Sequence, residues 1–270
     1  MVGKISSYDK HQLREAYRAA KPFPHVVIDD FLAPDFARRV AQCFFSSDDA
    51  RKYGEGFRNL HERGKVHITD PALFPAPATE LANELSSTAF LEDLSVITGI
   101  DDLVWDPTFS GGGMHQTSRA GWLDVHVDFN YNEALKLYRR LNILIYFNET
   151  WDKSWGGELE LWDRAVRQCL QRVQPTFNRC VIFTTSETSF HGVTAVECPE
   201  GQQRLSFAAY YYTRSKPPDY PGHNHSTIFR ARPTERFKRY VRMPLSALWS
   251  SVFHHARLAK TAVGRIVRPR

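Results

Sequence analysis

Two residues that can bind a metal ion stand two positions apart in the stretch GWLDVHVDFNYN, residues 121–132. The residues around His126 and Asp128 alternate as in a β-strand, and residues i and i+2 of a strand point to the same face of a sheet. The imidazole and the carboxylate therefore converge. A buried pair of this kind needs a polar partner, which can be each other, a surface or a metal ion.

The histidine–aspartate pair alone does not distinguish a metal ligand from a hydrogen-bonded strand histidine. His191 follows the predicted strand RCVIFTT in a second β-rich half of the chain, and its presence favours the metal-ligand interpretation. Two histidines and one carboxylate match the set that binds non-haem Fe(II) and leaves coordination positions open. His126, Asp128 and His191 are therefore candidate metal ligands.

A second polar pair lies in the predicted strand RLSFAAYYY. Arg204 and Ser206 share one face of this strand, and a guanidinium beside a hydroxyl can bind a carboxylate. A strand arginine in an ordinary salt bridge is the alternative. In combination with the candidate metal ligands, an anion bound near the metal ion is the better interpretation.

Helices precede strands in the part of the chain that must position these residues. Residues 7–20 and the stretch APDFARRVAQCFF have helical periodicity, residues 22–32 contain a short strand, and residues 78–98 contain a helix pair. From about residue 103 the chain is β-rich, with the runs LNILIYFN, GELELW, RCVIFTT and RLSFAAYYYT. This order predicts a mainly β fold, an antiparallel sandwich or jelly roll braced by N-terminal helices.

The distribution of charge separates the C-terminal segment from the rest of the chain. The 270 residues, 42% of them hydrophobic and 24% charged, suit one sizeable globular domain with an appendage. Residues 228–270 carry a net charge of +10, whereas the whole chain carries only +5. The basic charge therefore belongs to this segment, and nucleic-acid binding by the main domain is not expected.

The four cysteines show no CxxC spacing, which predicts reduced thiols. No run approaches the roughly 18 apolar residues of a membrane span, and the N-terminus lacks the apolar core of a signal peptide. We therefore expect a cytoplasmic protein.

Apolar residues recur with helical spacing near the C-terminus. They are Leu245, Leu248, Trp249, Val252, Phe253 and Ala256. We expect a basic helical extension that packs on the acidic main domain or on another subunit, and contact with a membrane surface is the less favoured alternative. The histidines of HNH, residues 223–225, have no third ligand in view and are expected to be exposed to solvent.

The stretch of residues 126–212 resembles the Fe(II)- and 2-oxoglutarate-dependent dioxygenases, specifically their prolyl 4-hydroxylase-like branch. The matching text is HVDFN, RRLNILIYFNETWDKSWGGELELWD and RCVIFTTSETSFHGVTAVECPEGQQRLSFAAYYY. The earlier stretch PFPHVVIDDFL is also typical of this branch. The resemblance implies a double-stranded β-helix (jelly roll) with its core at about residues 103–213, in a domain of residues 1–227 followed by the extension 228–270.

The resemblance also assigns roles to individual residues. His126, Asp128 and His191 would bind Fe(II). Arg204, assisted by Ser206, would bind the distal carboxylate of the co-substrate 2-oxoglutarate.

Two further co-substrate contacts follow from the same resemblance. Tyr146, in IYFN, occupies the position from which a tyrosine hydrogen-bonds the co-substrate in many relatives. Gln116 stands where some relatives carry a second tyrosine, so this chain departs from the family pattern there.

The implied reaction uses Fe(II), 2-oxoglutarate and dioxygen, with ascorbate as a candidate stimulant, releases succinate and carbon dioxide, and hydroxylates an unactivated C–H bond. Because Asp128 is retained, hydroxylation is favoured over halogenation. A small-molecule or amino-acid-derived substrate is favoured, since the sequence shows no obvious peptide-binding module. Alternatives are hydroxylation of peptidyl proline, a catalytically silent jelly-roll binding protein, and a cupin-like metalloenzyme that does not use 2-oxoglutarate.

Overall fold

The computed structural model describes residues 3–218, 220 and 222–243. Its α-helices are α1 (Lys10–Ala19), α2 (Pro34–Gln42), α3 (Ser47–Tyr53), α4 (Ala76–Leu85) and α5 (Thr88–Thr98). Short 3-10 turns occupy Pro71–Leu73 and Lys153–Trp155, and a π-helical turn occupies Lys238–Arg242. The strands are β1 (His25–Ile28), β2 (Glu55–Arg58), β3 (Glu62–Ile68), β4 (Val104–Trp105), β5 (Gly113–Val127), β6 (Tyr131–Asn132), β7 (Leu137–Tyr146), β8 (Leu159–Trp162), β9 (Cys169–Val173), β10 (Cys180–Thr184), β11 (His191–Val193), β12 (Gln203–Thr213) and β13 (Ile228–Arg230). The prediction of a mainly β fold with N-terminal helices is confirmed.

Side-chain caps set the N-terminal ends of α1 and α5. Asp9 accepts hydrogen bonds from the first backbone N–H groups of α1, and Ser87 does the same for α5. Helix α5 ends at Gly99, whose φ of 71° is the left-handed conformation that glycine adopts without strain. The helix pair predicted at residues 78–98 corresponds to α4 and α5.

The strands form a curled antiparallel sheet with β5 near its middle. The order across the sheet is β1-β10-β7-β12-β5-β11-β8-β9. The N-terminal part of β5 pairs with β12, its C-terminal part pairs with β11, and β3 pairs along both parts. This 15-residue strand thereby joins the two halves of the sheet.

Alternation along the central strands separates an apolar face from a polar face. On β7, Leu141, Ile143 and Ile145 point to the core that the N-terminal helices cover. Asn142 and Leu144 point to the other face, where they line a cavity. The same alternation puts Phe207 of β12 in the helix-covered core.

Sequence reasoning missed the hairpin formed by β2 and β3. Its strands contain few apolar residues, and β2 is largely exposed to solvent. The hairpin is held by the pairing of β3 with β5, in which Val66 lies opposite Gln116 and Ile68 opposite Met114. Because this support comes from a strand distant in sequence, no local pattern predicts it.

The contacts between residues divide the chain into two compact units, of which the first ends at Phe229 and the second begins at Arg230. The sequence-based boundary at residue 227 stays a prediction. The predicted helix over residues 245–256 lies outside the described residues. Within the described residues, no helix is long and apolar enough to cross a membrane.

Asn178 connects the turn before β10 to the chain that follows β1. Its amide oxygen accepts from the backbone N–H of Leu32 at 2.9 Å, and its amide nitrogen donates to the Leu32 carbonyl at 2.7 Å. Asn178 is buried and has a φ of 59°, a conformation that asparagine tolerates better than most residues. One side chain thus satisfies both backbone groups of a buried residue.

We therefore expect Asn178→Ala to lower the free energy of unfolding by about 2–4 kcal/mol, because two buried backbone groups lose their partners. Chemical denaturation measures the change. Asn83→Ala, at an exposed position of α4, is the matched control and should stay within about 0.5 kcal/mol of wild type. Equal effects of the two substitutions would show that the Asn178 contacts do not hold the fold.

Candidate active site

Strand pairing brings the three candidate metal ligands together. His126, near the end of β5, lies directly opposite His191 on β11, and their ring centroids are 4.2 Å apart. Asp128 follows β5 on the same side. Each residue offers one ligand atom, and these atoms lie within 4.8 Å of one another.

Backbone carbonyls orient both imidazoles. His126 Nδ1 lies 2.8 Å from the Asp124 carbonyl, and His191 Nδ1 lies 2.9 Å from the Ser189 carbonyl. A carbonyl only accepts, so each Nδ1 carries the proton and each Nε2 offers a lone pair.

Both Nε2 atoms face the carboxylate, since His126 Nε2 is 3.7 Å and His191 Nε2 is 3.6 Å from an oxygen of Asp128. Burial, followed by the nearby His126, lowers the pKa of His191 to about 4, so this ring is neutral at pH 7. Two imidazoles and one carboxylate fit a divalent metal ion such as Fe(II).

Asp128 is ionised despite its burial. Burial alone would raise its pKa, but the positive charge of Arg139 holds the pKa well below its usual value. The Asn142 amide donates to Asp128 Oδ2 at 2.8 Å, and an Arg139 nitrogen lies 3.4 Å from the same oxygen. The carboxylate is thus held by two residues of β7.

Arg139 belongs to the site because of a β-bulge. Leu141 pairs with Tyr211 and Arg139 pairs with Tyr212, so the intervening Arg140 is extra on its strand. The bulge turns Arg139 to the same face as Asn142, to whose amide oxygen it donates twice, at 3.0 and 2.8 Å. Sequence reasoning missed both residues, and strict alternation would have placed Arg140 instead of Arg139 on this face.

Arg204 is a buried cation whose side chain bonds only to neutral groups. Its Nε donates to the Gly157 carbonyl at 2.7 Å, and one terminal nitrogen donates to the Ser206 hydroxyl at 3.3 Å. Within the described part of the chain, no carboxylate lies at salt-bridge distance from Arg204. Burial lowers the pKa of the guanidinium. A buried cation of this kind fits an anionic ligand, and a carboxylate matches its geometry.

Gly157 and Tyr146 hold Arg204 from two sides. Gly157 has a φ of 70°, and a Cβ added there would lie 3.0 Å from the Arg204 side chain. The guanidinium lies 4.8 Å from the centroid of the Tyr146 ring. The Tyr146 hydroxyl is buried beside this guanidinium, and Tyr146 does not line the cavity described below, so its predicted contact with the co-substrate stays a prediction.

The structure does not bring Gln116 to this site. Its amide donates to the Phe45 carbonyl and to the Gln203 side chain, on the other face of β5. The residues on either side, His115 and Thr117, line the cavity instead. The predicted co-substrate contact of Gln116 is therefore not seen, because alternation along β5 turns its side chain away.

All of the remaining predicted residues except Tyr146 line one cavity of about 220 Å³ in the first compact unit. Trp122 and Phe129, which stand on either side of His126 and Asp128 in the sequence, also line it. The hairpin of β2 and β3 contributes residues that sequence reasoning missed. They are Phe57, Glu62, Lys65 and His67.

Comparison with known proteins agrees with this geometry. Residues 112–212 match the family model described as the 2OG-Fe(II) oxygenase superfamily, where 2OG stands for 2-oxoglutarate. Residues 112–212 therefore match the 2OG-Fe(II) oxygenases, in agreement with the resemblance seen in the sequence. A curated relative, the prolyl 3-hydroxylase OGFOD1 of Mus musculus, is 27% identical over 218 residues. The match covers 74% of this chain, which spans only 35% of that relative's length.

Solved structures share the fold. A prolyl-4-hydroxylase from Pseudomonas putida matches with a TM-score of 0.53 at 18% identity, covering 75% of this chain and 100% of that chain. A prolyl hydroxylase from Trichoplax adhaerens, in complex with a hypoxia inducible factor peptide fragment, matches with a TM-score of 0.55 at 15% identity, covering 75% of this chain and 90% of that chain. These likenesses confirm the predicted jelly-roll fold.

We expect Arg139→Met to weaken metal binding by about tenfold to a hundredfold, because Asp128 loses its cationic partner and one of its two orienting contacts. Titration of the purified protein with Co(II), followed by its visible spectrum, measures the affinity. Arg140→Met, at the half-exposed bulge position next to Arg139, is the control and should bind Co(II) like wild type. Equal affinities of the two variants would show that Arg139 does not support the metal ligands.

Proposed function

We propose that this protein is a 2-oxoglutarate-dependent oxygenase that hydroxylates an unactivated C–H bond. One observation carries the proposal: a triad suited to Fe(II) shares a small cavity with a buried arginine that has no carboxylate partner among the described residues. A metal site alone would not require the buried Arg204. Together they match a co-substrate that binds a metal ion at one end and an arginine at the other.

Each protein group has a separate task in this proposal. His126, Asp128 and His191 would hold Fe(II), which supplies the redox chemistry that couples conversion of 2-oxoglutarate and dioxygen to succinate and carbon dioxide with substrate oxidation. Arg204 and Ser206 would bind and orient the distal carboxylate of 2-oxoglutarate. The enzyme's own contribution is therefore placement of the reactants and exclusion of water.

Two features bear on the outcome of the reaction and on the substrate. Asp128 is retained and is held by Arg139 and Asn142, which favours hydroxylation over halogenation because the ligand position is filled by a carboxylate. The name of the mouse relative supports prolyl hydroxylation as a second candidate function. A small-molecule or amino-acid-derived substrate remains our first choice.

A catalytically silent binding protein of the same fold would need neither the candidate metal ligands nor the pair of Arg204 and Ser206. Burial of Arg204 without a carboxylate partner costs stability, so its retention in a protein that binds no anion would be unexplained. A metalloenzyme that does not use 2-oxoglutarate would leave the same arginine without a role.

We expect anaerobic addition of Fe(II) and then 2-oxoglutarate to give a visible metal-to-ligand charge-transfer band with wild type. Asp128→Ala should abolish the band, because the metal ion loses its anionic ligand. Failure of wild-type protein to retain iron would favour the binding-protein alternative. Iron binding without a 2-oxoglutarate-dependent band would favour a metalloenzyme of another type.

Arg204→Ala should weaken 2-oxoglutarate binding by roughly 2–5 kcal/mol while iron binding persists, since a buried carboxylate would lose its charged partner. The same titration, run with increasing 2-oxoglutarate, gives the dissociation constant. Arg214→Ala, at an exposed position just beyond β12, is the matched control and should behave as wild type. An unchanged constant for Arg204→Ala would remove Arg204 from the co-substrate site.

A further inference from the structure

Residues 222–229, here called the strap, are tied to both segments that carry the metal ligands. The backbone N–H of His225 donates to the side chain of Asn130 at 2.9 Å, two residues beyond Asp128. His225 Nε2 lies 3.0 Å from both carboxylate oxygens of Glu187, in the turn that precedes His191. His225, Asn130 and Glu187 thus form a hydrogen-bonded cluster, here called the clasp. The sequence predicted an exposed His225, but its side chain is mostly buried.

Asn130 completes the clasp. Its amide nitrogen donates to Glu187 at 2.9 Å and to the His223 carbonyl at 3.2 Å. Asn130 is buried, and the side chain of His225 is only 18% exposed. The clasp therefore holds the strap at the end of the site where Asp128 and His191 meet.

Phe229 is a residue of the strap whose side chain lines the cavity. Its ring centroid lies 5.5 Å from that of His126, and Phe229 and Thr227 both line the cavity. The Phe229 ring also stacks on His61 in the turn between β2 and β3, with centroids 4.2 Å apart and planes inclined by only 5°. The strap and the hairpin thus meet beside the metal ligands.

This contact has a consequence for the shape of the substrate. The hairpin lines one side of the cavity with Glu62, Lys65 and His67, and the strap lines another with Phe229. A residue inside a polypeptide needs an open groove on both sides, because the chain must enter and leave the site. The stacking of His61 on Phe229 joins the strap to the hairpin at one side of the cavity, where a polypeptide would need room to pass. A compact molecule needs only one opening.

We propose that the strap completes the substrate chamber, and that Phe229 restricts the substrate to a compact small molecule rather than a residue within a polypeptide. The proposal rests on the proposed function and specifies the substrate class of the same site. Phe229 is in this view a specificity-determining residue, and Asn130, Glu187 and His225 are positioning residues that hold it.

The test uses protein loaded with Co(II) and 2-oxoglutarate, and two metal-binding probes of different size, imidazole and 4-phenylimidazole. Changes in the visible spectrum of Co(II) report probe binding. Wild-type protein should bind 4-phenylimidazole about tenfold more weakly than imidazole, because the phenyl group of the probe would overlap the Phe229 side chain. Phe229→Ala should remove this difference, and the control Ile228→Ala, at an exposed neighbouring position, should retain it.

The clasp is tested by Glu187→Gln, with Glu200→Gln at an exposed position as its control. Loss of the charged partner of His225 should accelerate amide hydrogen exchange in residues 222–229 about tenfold and reduce the discrimination between the two probes. The control should change neither quantity.

The outcomes separate this proposal from the proposed function. A protein that binds neither Co(II) nor 2-oxoglutarate would contradict the proposed function. If the protein binds Co(II) and 2-oxoglutarate, and the ratio of the affinities for the two probes is the same in wild type and Phe229→Ala, only the role of Phe229 would be overturned. Succinate release by wild type that depends on a peptide with an internal proline would overturn the restriction to small molecules.

Discussion

The antiparallel register between β5 and β11 is the constraint on which the site depends. Directly paired residues point to the same face of a sheet, so the pairing of His126 with His191 brings two distant histidines to one point. A slip of one residue would turn His191 to the opposite face. Pairing of β5 with β12 and β3 fixes the strand over the rest of its length, so the register at the site is set by the whole sheet.

The two faces of the sheet have different energetic roles. On the face covered by the N-terminal helices, side chains such as Ile143 and Phe207 are fully buried and stabilise the fold through apolar contacts. The other face buries charges, which costs stability unless they are paired. Asp128 has Arg139 as its partner, whereas Arg204 bonds only to neutral groups. The apolar face therefore supports a polar face that carries the candidate metal ligands and Arg204.

Local patterns in the chain were sufficient to predict some parts of the site. Alternation implied that His126 and Asp128 converge and that Arg204 and Ser206 share a face, and the structure brings both pairs to one cavity. Gln116 was assigned its role by analogy with a family position and not by its face on β5, and in the structure its side chain lies on the other face of that strand. Alternation does not predict the position of Arg139, because a bulge interrupts the alternation of β7.

The sequence by itself determined the residue types that can bind a metal ion and a carboxylate, the helices before the strands, and the apolar alternation of the central sheet. These features depend on neighbours in the chain, and their period of two or of 3.6 residues can be read locally. Only the tertiary structure decided which strands lie side by side, where β7 bulges, and that the hairpin and the strap meet at His61 and Phe229. Those contacts join residues far apart in sequence, and their formation depends on the packing of the whole domain.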